Sequence, residues 1–183
     1  MPTVIFSGHM IDRPGRTPPR LPANATGAAA QHIAAALGEL GLARGDRALC
    51  SAACGGDLLF AEAALARGAR LEVFLPQARD EFAANSVDYA GRTWRERYER
   101  VLAHPATRVH IAPEELGPLA AGDDAYERAN RWMLAAALDA KTPPVFLCLW
   151  DGAEGDGPGG TRDMVARVLA AGGTVRRIDP AAL

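Results

Sequence analysis

Cysteine is scarce in this chain of 183 residues: Cys50, Cys54 and Cys148 are an odd set with no CxxC spacing. That excludes a disulfide framework and a zinc ribbon, and predicts a reduced, cytosolic protein. Aromatic residues reach only 6%, too few for a stacking platform along single-stranded nucleic acid. Neither sign of charge dominates. Twenty basic residues face 22 acidic ones, a formal net charge of −2, so no global field draws nucleic acid or an anionic membrane. No apolar window approaches the roughly 18 residues of a membrane span. The sequence opens Met1-Pro2-Thr3 and runs straight into Val4–Phe6, with no basic stretch and no long apolar core, which predicts no secretory leader. His32, His104 and His110 are scattered without metal spacing, and neither a metal nor a cofactor is expected; His9, after the first strand, could be a base near neutral pH or simply a polar turn residue.

What is present is ordinary globular material, 49% apolar and 23% charged. A domain of this length buries about 70% of its unfolded surface without staples. There is no internal repeat and no dividing linker, so residues 1–183 read as one domain. Short β-rich runs alternate with Ala/Leu-rich helical ones. The strand runs are Thr3–Phe6, Ala48–Ala52, Leu71–Leu75, Arg108–Ile111, Val145–Trp150 and Thr174–Ile178. The first and fifth lack polar alternation, as in strands covered on both faces. Helices are expected from Asn24 or Thr26 to about Leu40, from Asp57 to Arg67, over Trp94–Leu102, from Asp123 or Asp124 to Lys141, and from Thr161 to Gly172-Gly173. The alternation predicts an α/β fold: a three-layer Rossmann-like sandwich with a mainly parallel sheet of about six strands.

Two irregular segments directly follow strands. His9–Ala23 holds four prolines with Arg13, Arg16 and Arg20; Asp151–Gly160 holds five glycines. In a parallel sheet both reach the carboxyl edge, where ligands bind. Three turns could grip a phosphate through bare amides. The first is Ser7-Gly8-His9. The second, Ser51 to Asp57, brings Gly55 and Gly56 to a helix start, with Asp57 as a helix cap or a ribose acceptor. The third brings Gly159, Gly160 and Thr161 to another helix start. Each has a plain structural alternative, respectively a tight turn, a cap and a solvated acidic loop. Asp151, Glu154 and Asp156 lack the spacing of an EF-hand.

The runs SAACGGDLLFAEAALARG (51–68) and PGGT (158–161), with Ser7-Gly8, resemble the SLOG superfamily, which includes the Lonely-Guy phosphoribohydrolases and the Smf/DprA proteins. PGGT is similar to the Lonely-Guy phosphate motif PGGxGTxxE, with one x-Gly step missing and Met164 where its glutamate would fall. The resemblance implies a nucleotide-like small-molecule ligand and a homodimer, and leaves catalysis uncarried. The functional alternatives are a nucleotide-binding or sensing domain, a Lonely-Guy-like N-glycosidase acting on nucleoside monophosphates, and a Smf/DprA-type partner of single-stranded DNA. N-glycoside cleavage needs a carboxylate and donors to the leaving base. The helix after the fourth strand offers Glu127, Arg128 and Asn130 near the ligand edge, the preferred catalytic face; Glu127 could equally be a surface pair with Arg131.

Overall fold

The protein is represented by a computed structural model that describes residues 2–138, 142–153 and 160–183. Six strands form one sheet: β1 (Thr3–Gly8), β2 (Arg47–Cys50), β3 (Arg70–Leu75), β4 (Thr107–Ile111), β5 (Val145–Leu149) and β6 (Thr174–Ile178). Their order is β4-β3-β2-β1-β5-β6, and every pairing is parallel. The chain builds outward from β1 to β4 and then returns to lay β5 on the other side of β1. The order in which strands are added therefore reverses between β1 and β5, and this is the sheet's topological switch point.

The helices are α1 (Thr26–Glu39), α2 (Gly56–Ala66), α3 (Arg79–Ser86), α4 (Arg92–Ala103), α5 (Ala112–Glu115), α6 (Ala125–Leu138) and α7 (Thr161–Ala170). Strand side chains alternate between two cores, as the pleat requires. Val4 and Phe6 of β1 and Leu147 and Leu149 of β5 join the core beneath α1, α2 and α4. Ile5, Phe146 and Cys148 join the core beneath α6 and α7, with Met133, Leu134, Met164 and Val168. The runs without polar alternation are thus covered on both faces, and the result is the expected α/β sandwich.

The differences are two helices that the sequence reading lacks, α3 and the short α5, and shifted element ends. α3 was not expected, because its polar run RDEFAANS buries only Phe82, Ala83 and Ser86 and carries no long apolar period. β2 stops at Cys50 rather than Ala52, since Ala52 sits at φ 61, outside the extended region. Lys141, the expected end of the sixth helix, lies outside the described residues.

Candidate functional site

The site is built where β1 and β5 end. Ser7 and Gly8 pair with Cys148 and Leu149, and the His9 N–H donates to the Leu149 carbonyl at 3.0 Å. The chain then leaves the sheet as a closed loop, residues 9–22. Asp12 ties its ends together: its carboxylate accepts the Arg20 N–H at 2.9 Å and the Leu21 N–H at 3.0 Å. The Asp12 N–H in turn donates to the Leu21 carbonyl at 3.0 Å. Ile11 and Leu21 are buried beneath the loop, and the Tyr89 hydroxyl donates to the Ile11 carbonyl at 2.8 Å. So anchored, the loop holds Arg13, Arg16 and Arg20 against a cavity of about 330 Å³.

The facing wall comes from Ser7, Trp150, Gly160 just before α7 and Thr161, its first residue. The hydroxyls of Ser7 and Thr161 meet at 3.2 Å across the switch point. Among the described residues no side chain caps α7, and helix-start amides with the helix dipole favour an anion. Each arginine is positioned by a neighbour. Arg13 lies over the Tyr89 ring at 3.9 Å and donates to the Asn85 carbonyl at 3.2 Å. Arg16 approaches Asp12 at 3.8 Å, and Arg20 approaches Asp151 at 3.6 Å.

His9 also lines the cavity. Burial pulls its pKa below the ordinary value, outweighing the Asp151 carboxylate, which pulls it up. The neutral ring accepts the Asp151 N–H at Nε2, 3.2 Å away, and Nδ1 has no hydrogen-bond partner among the described residues. Burial raises Asp151, but the Ala153 N–H, His9 and Arg20 overcome it and leave the carboxyl below its usual range.

The second glycine turn serves this loop from behind. Gly55 bridges Met10, and the Gly56 N–H donates to the His9 carbonyl at 3.0 Å. Gly55 has φ 97, and a Cβ there would stand 2.8 Å from His9 O and Ile11 N, so only glycine fits. Asp57 is buried; its carboxylate accepts the Ser51 N–H at 3.1 Å and faces the amides of Ala53, Gly8 and Ala52. Burial raises its pKa to about 7 despite those donors. Gly55, Gly56 and Asp57, expected at a phosphate, therefore buttress the loop and knit the ends of β1 and β2. The α2 amide that was expected to grip an anion is already taken by a carbonyl. Gly8 lines the cavity and closes on Phe6, where an added Cβ would lie 2.9 Å from the ring.

The expected catalytic face stands elsewhere. Glu127 accepts hydrogen bonds from Arg131 and from Arg167, the latter at 3.1 Å, in a separate cavity of about 270 Å³. Arg128 donates to the carbonyls of Gly117 and Pro118 at 3.0 and 3.2 Å. Asn130 follows on α6 and, like them, does not line the switch-point cavity. Trp132 packs edge-on against Phe74, as a core residue does. Met164 is fully buried and Asp163 pairs with Arg167, so α7 presents no acid in place of the missing motif glutamate. Gly159 lies outside the described residues. Among those described, no cluster of His, Cys, Asp or Glu could hold a metal ion.

The cavity thus gathers Ser7, Gly8, His9, Gly160 and Thr161 from the expected residues. Sequence reasoning singled out the three arginines but missed Asp12, Tyr89 and Trp150. Asp12 had a signal, an acid opening a proline-rich loop, the residue type that ties such loops to their own backbone.

No protein-family model matches the chain, and no curated protein matches it. Among solved structures it is similar to DNA processing protein A (DprA) from Streptococcus pneumoniae, with TM-score 0.51 and 15% identity. The match covers 96% of this chain and 50% of that one, so the chain spans about half of DprA's length. It is also similar to TM1055, a structural-genomics target, with TM-score 0.48 and 15% identity over 96% of this chain and 72% of that. The DprA likeness is one of fold, and it agrees with the resemblance carried by the sequence motifs.

Proposed function

We propose that this chain binds a nucleotide or nucleotide-derived ligand, with the ligand's phosphate in the switch-point cavity. One observation carries the reading: three guanidinium groups, the Ser7 and Thr161 hydroxyls and the start of α7 surround a single cavity. Such a set suits a phosphate, because guanidinium groups meet its oxygens in pairs and helix amides add donors. Switch points of open α/β sheets are also where nucleotides sit.

Binding is favoured over N-glycoside hydrolysis by the acids. Among the described lining residues Asp12 is the one carboxylate, and it is committed to the Arg20 and Leu21 amides. Glu127 belongs to another cavity and is held by two arginines.

The test is calorimetric titration with nucleoside monophosphates, with chromatography of the mixture for free base. Saturable binding without base release is the expected result. Arg16→Ala or Arg20→Ala should weaken it about 10- to 100-fold, the cost of one charge-assisted hydrogen bond or two. Unchanged affinity in both variants refutes the site. Base release assigns the chain to the hydrolases instead.

A further inference from the structure

Arg20 stands between two cavities. It lines the phosphate cavity and also a second one, of about 700 Å³, beside it. The second is walled by the end of the 9–22 loop, the start of α1 and the turn after β6, where Asp179, Pro180, Ala181 and Leu183 face it. Two acidic side chains line it. Asp179 is committed within its own turn: its carboxylate accepts the Ala181 N–H at 3.0 Å and pairs with Arg177 at 3.1 Å. Asp151 lines this cavity and is not among the described lining residues of the first, yet its carboxylate comes within 3.6 Å of the Arg20 Nε. The pair therefore draws Arg20 toward the second cavity, away from the place of the phosphate.

Two observations make this pair a competitor of the ligand rather than a support for it. The first is that the loop is held without it. Asp12 fixes the Arg20 backbone, accepting its N–H at 2.9 Å, so breaking the Asp151 contact frees a side chain and not the loop. The second is its length. At 3.6 Å the contact lies outside the roughly 2.7–3.2 Å of an N–H···O bond, between side chains that are 18% and 32% exposed. A phosphate can replace it with paired, charge-assisted hydrogen bonds, which are stronger. Burial raises the Asp151 carboxyl, but the Ala153 N–H, His9 and Arg20 outweigh it, so the group is ionised at neutral pH. Resting on the phosphate reading above, we infer that Asp151 is a built-in counter-anion, which holds Arg20 until the ligand's phosphate displaces it and so limits the affinity of the site.

The experiment titrates inorganic phosphate and adenosine 5′-monophosphate by calorimetry into the wild type, Asp151→Asn, Arg20→Ala and the double variant, each with an intact thermal transition. Asparagine removes the charge and keeps the oxygen that accepts the Ala153 N–H at 2.9 Å. Asp151→Asn should bind both compounds roughly 3- to 10-fold more tightly than the wild type, the worth of one partly exposed ion pair. Asp151→Ser also removes the charge; it should act the same way and covers the case in which the asparagine variant misfolds or still holds Arg20. In the Arg20→Ala background the same substitution should change affinity by less than about twofold, because no guanidinium is left to release. Binding by the variants alone supports the inference. Unchanged or weaker binding in both charge-removing variants overturns it and leaves the phosphate site standing. A gain that persists in full without Arg20 overturns it as well, since Asp151 would then act by plain repulsion of the ligand. Absence of binding by the wild type and every variant overturns both readings.

Discussion

Replacing Asp12 by alanine should release the arginine-bearing loop without unfolding the sheet. The carboxylate accepts two backbone N–H groups, from Arg20 at 2.9 Å and Leu21 at 3.0 Å, and approaches Arg16 at 3.8 Å. A hydrogen bond to a charged group contributes about 1.5–3 kcal/mol. The Arg20 amide can turn to water once the acceptor is gone, so the lower end applies, about 3 kcal/mol for the pair. At about 1.4 kcal/mol per factor of ten, the open loop becomes roughly 100-fold more populated. Native-state amide hydrogen exchange reads this directly. In Asp12→Ala the Arg20 and Leu21 amides should exchange about 100-fold faster, while the amides of Phe6 and Leu147 in the sheet keep their rates. Asp12→Asn retains one carbonyl and should recover about half of the free energy, leaving a roughly tenfold effect. Wild-type exchange at Arg20 and Leu21 in Asp12→Ala would refute the reasoning, because burial of Ile11 and Leu21 would then suffice to hold the loop.

Asp57 predicts a pH dependence of stability. Its folded pKa, about 7, lies above the ordinary 3.8, so the folded chain holds this proton where the unfolded chain has lost it. That contribution is complete below about pH 4 and is lost as pH rises through 7; at most it amounts to about 4 kcal/mol. Asp57→Asn should flatten this part of a melting-temperature curve taken from pH 4 to 8; an unchanged slope would count against the assignment. Gly55→Ala should cost about 2–4 kcal/mol in urea denaturation, from its φ of 97 and the contact with His9 and Ile11 backbone. Glu127→Ala should leave nucleotide affinity within about twofold by calorimetry, and a tenfold loss would return that residue to the site.

The fold was legible in the sequence because its signals are local. Runs such as Val145–Leu149 are apolar on both faces, and the helix-end glycines Gly41, Gly68 and Gly172 stand where the Ala-rich periods stop. The cavity was legible in part. Ser7, Gly8, Gly160 and Thr161 follow from strand-to-helix grammar, and the switch point brings them together. The roles of Gly55, Gly56 and Asp57 were not legible. A glycine turn before a helix looks the same in sequence whether an anion or a neighbouring strand segment fills it. Here the long-range bridge from Met10 decides, and periodicity carries no trace of such a contact. The separation of Glu127 from the switch-point cavity was not legible for a similar reason. Glu127 stands early in α6, as its pattern predicts, but its partner Arg167 lies 40 residues away in sequence.

The imidazole at the cavity wall has its tautomer set by the backbone beside it. With one nitrogen already receiving the Asp151 amide, the ring's single proton belongs on the other, Nδ1. In that tautomer the ring carries a hydrogen donor without any gain of charge. Burial, which lowers the pKa, holds that neutral form further into the acid range than a free imidazole would keep it.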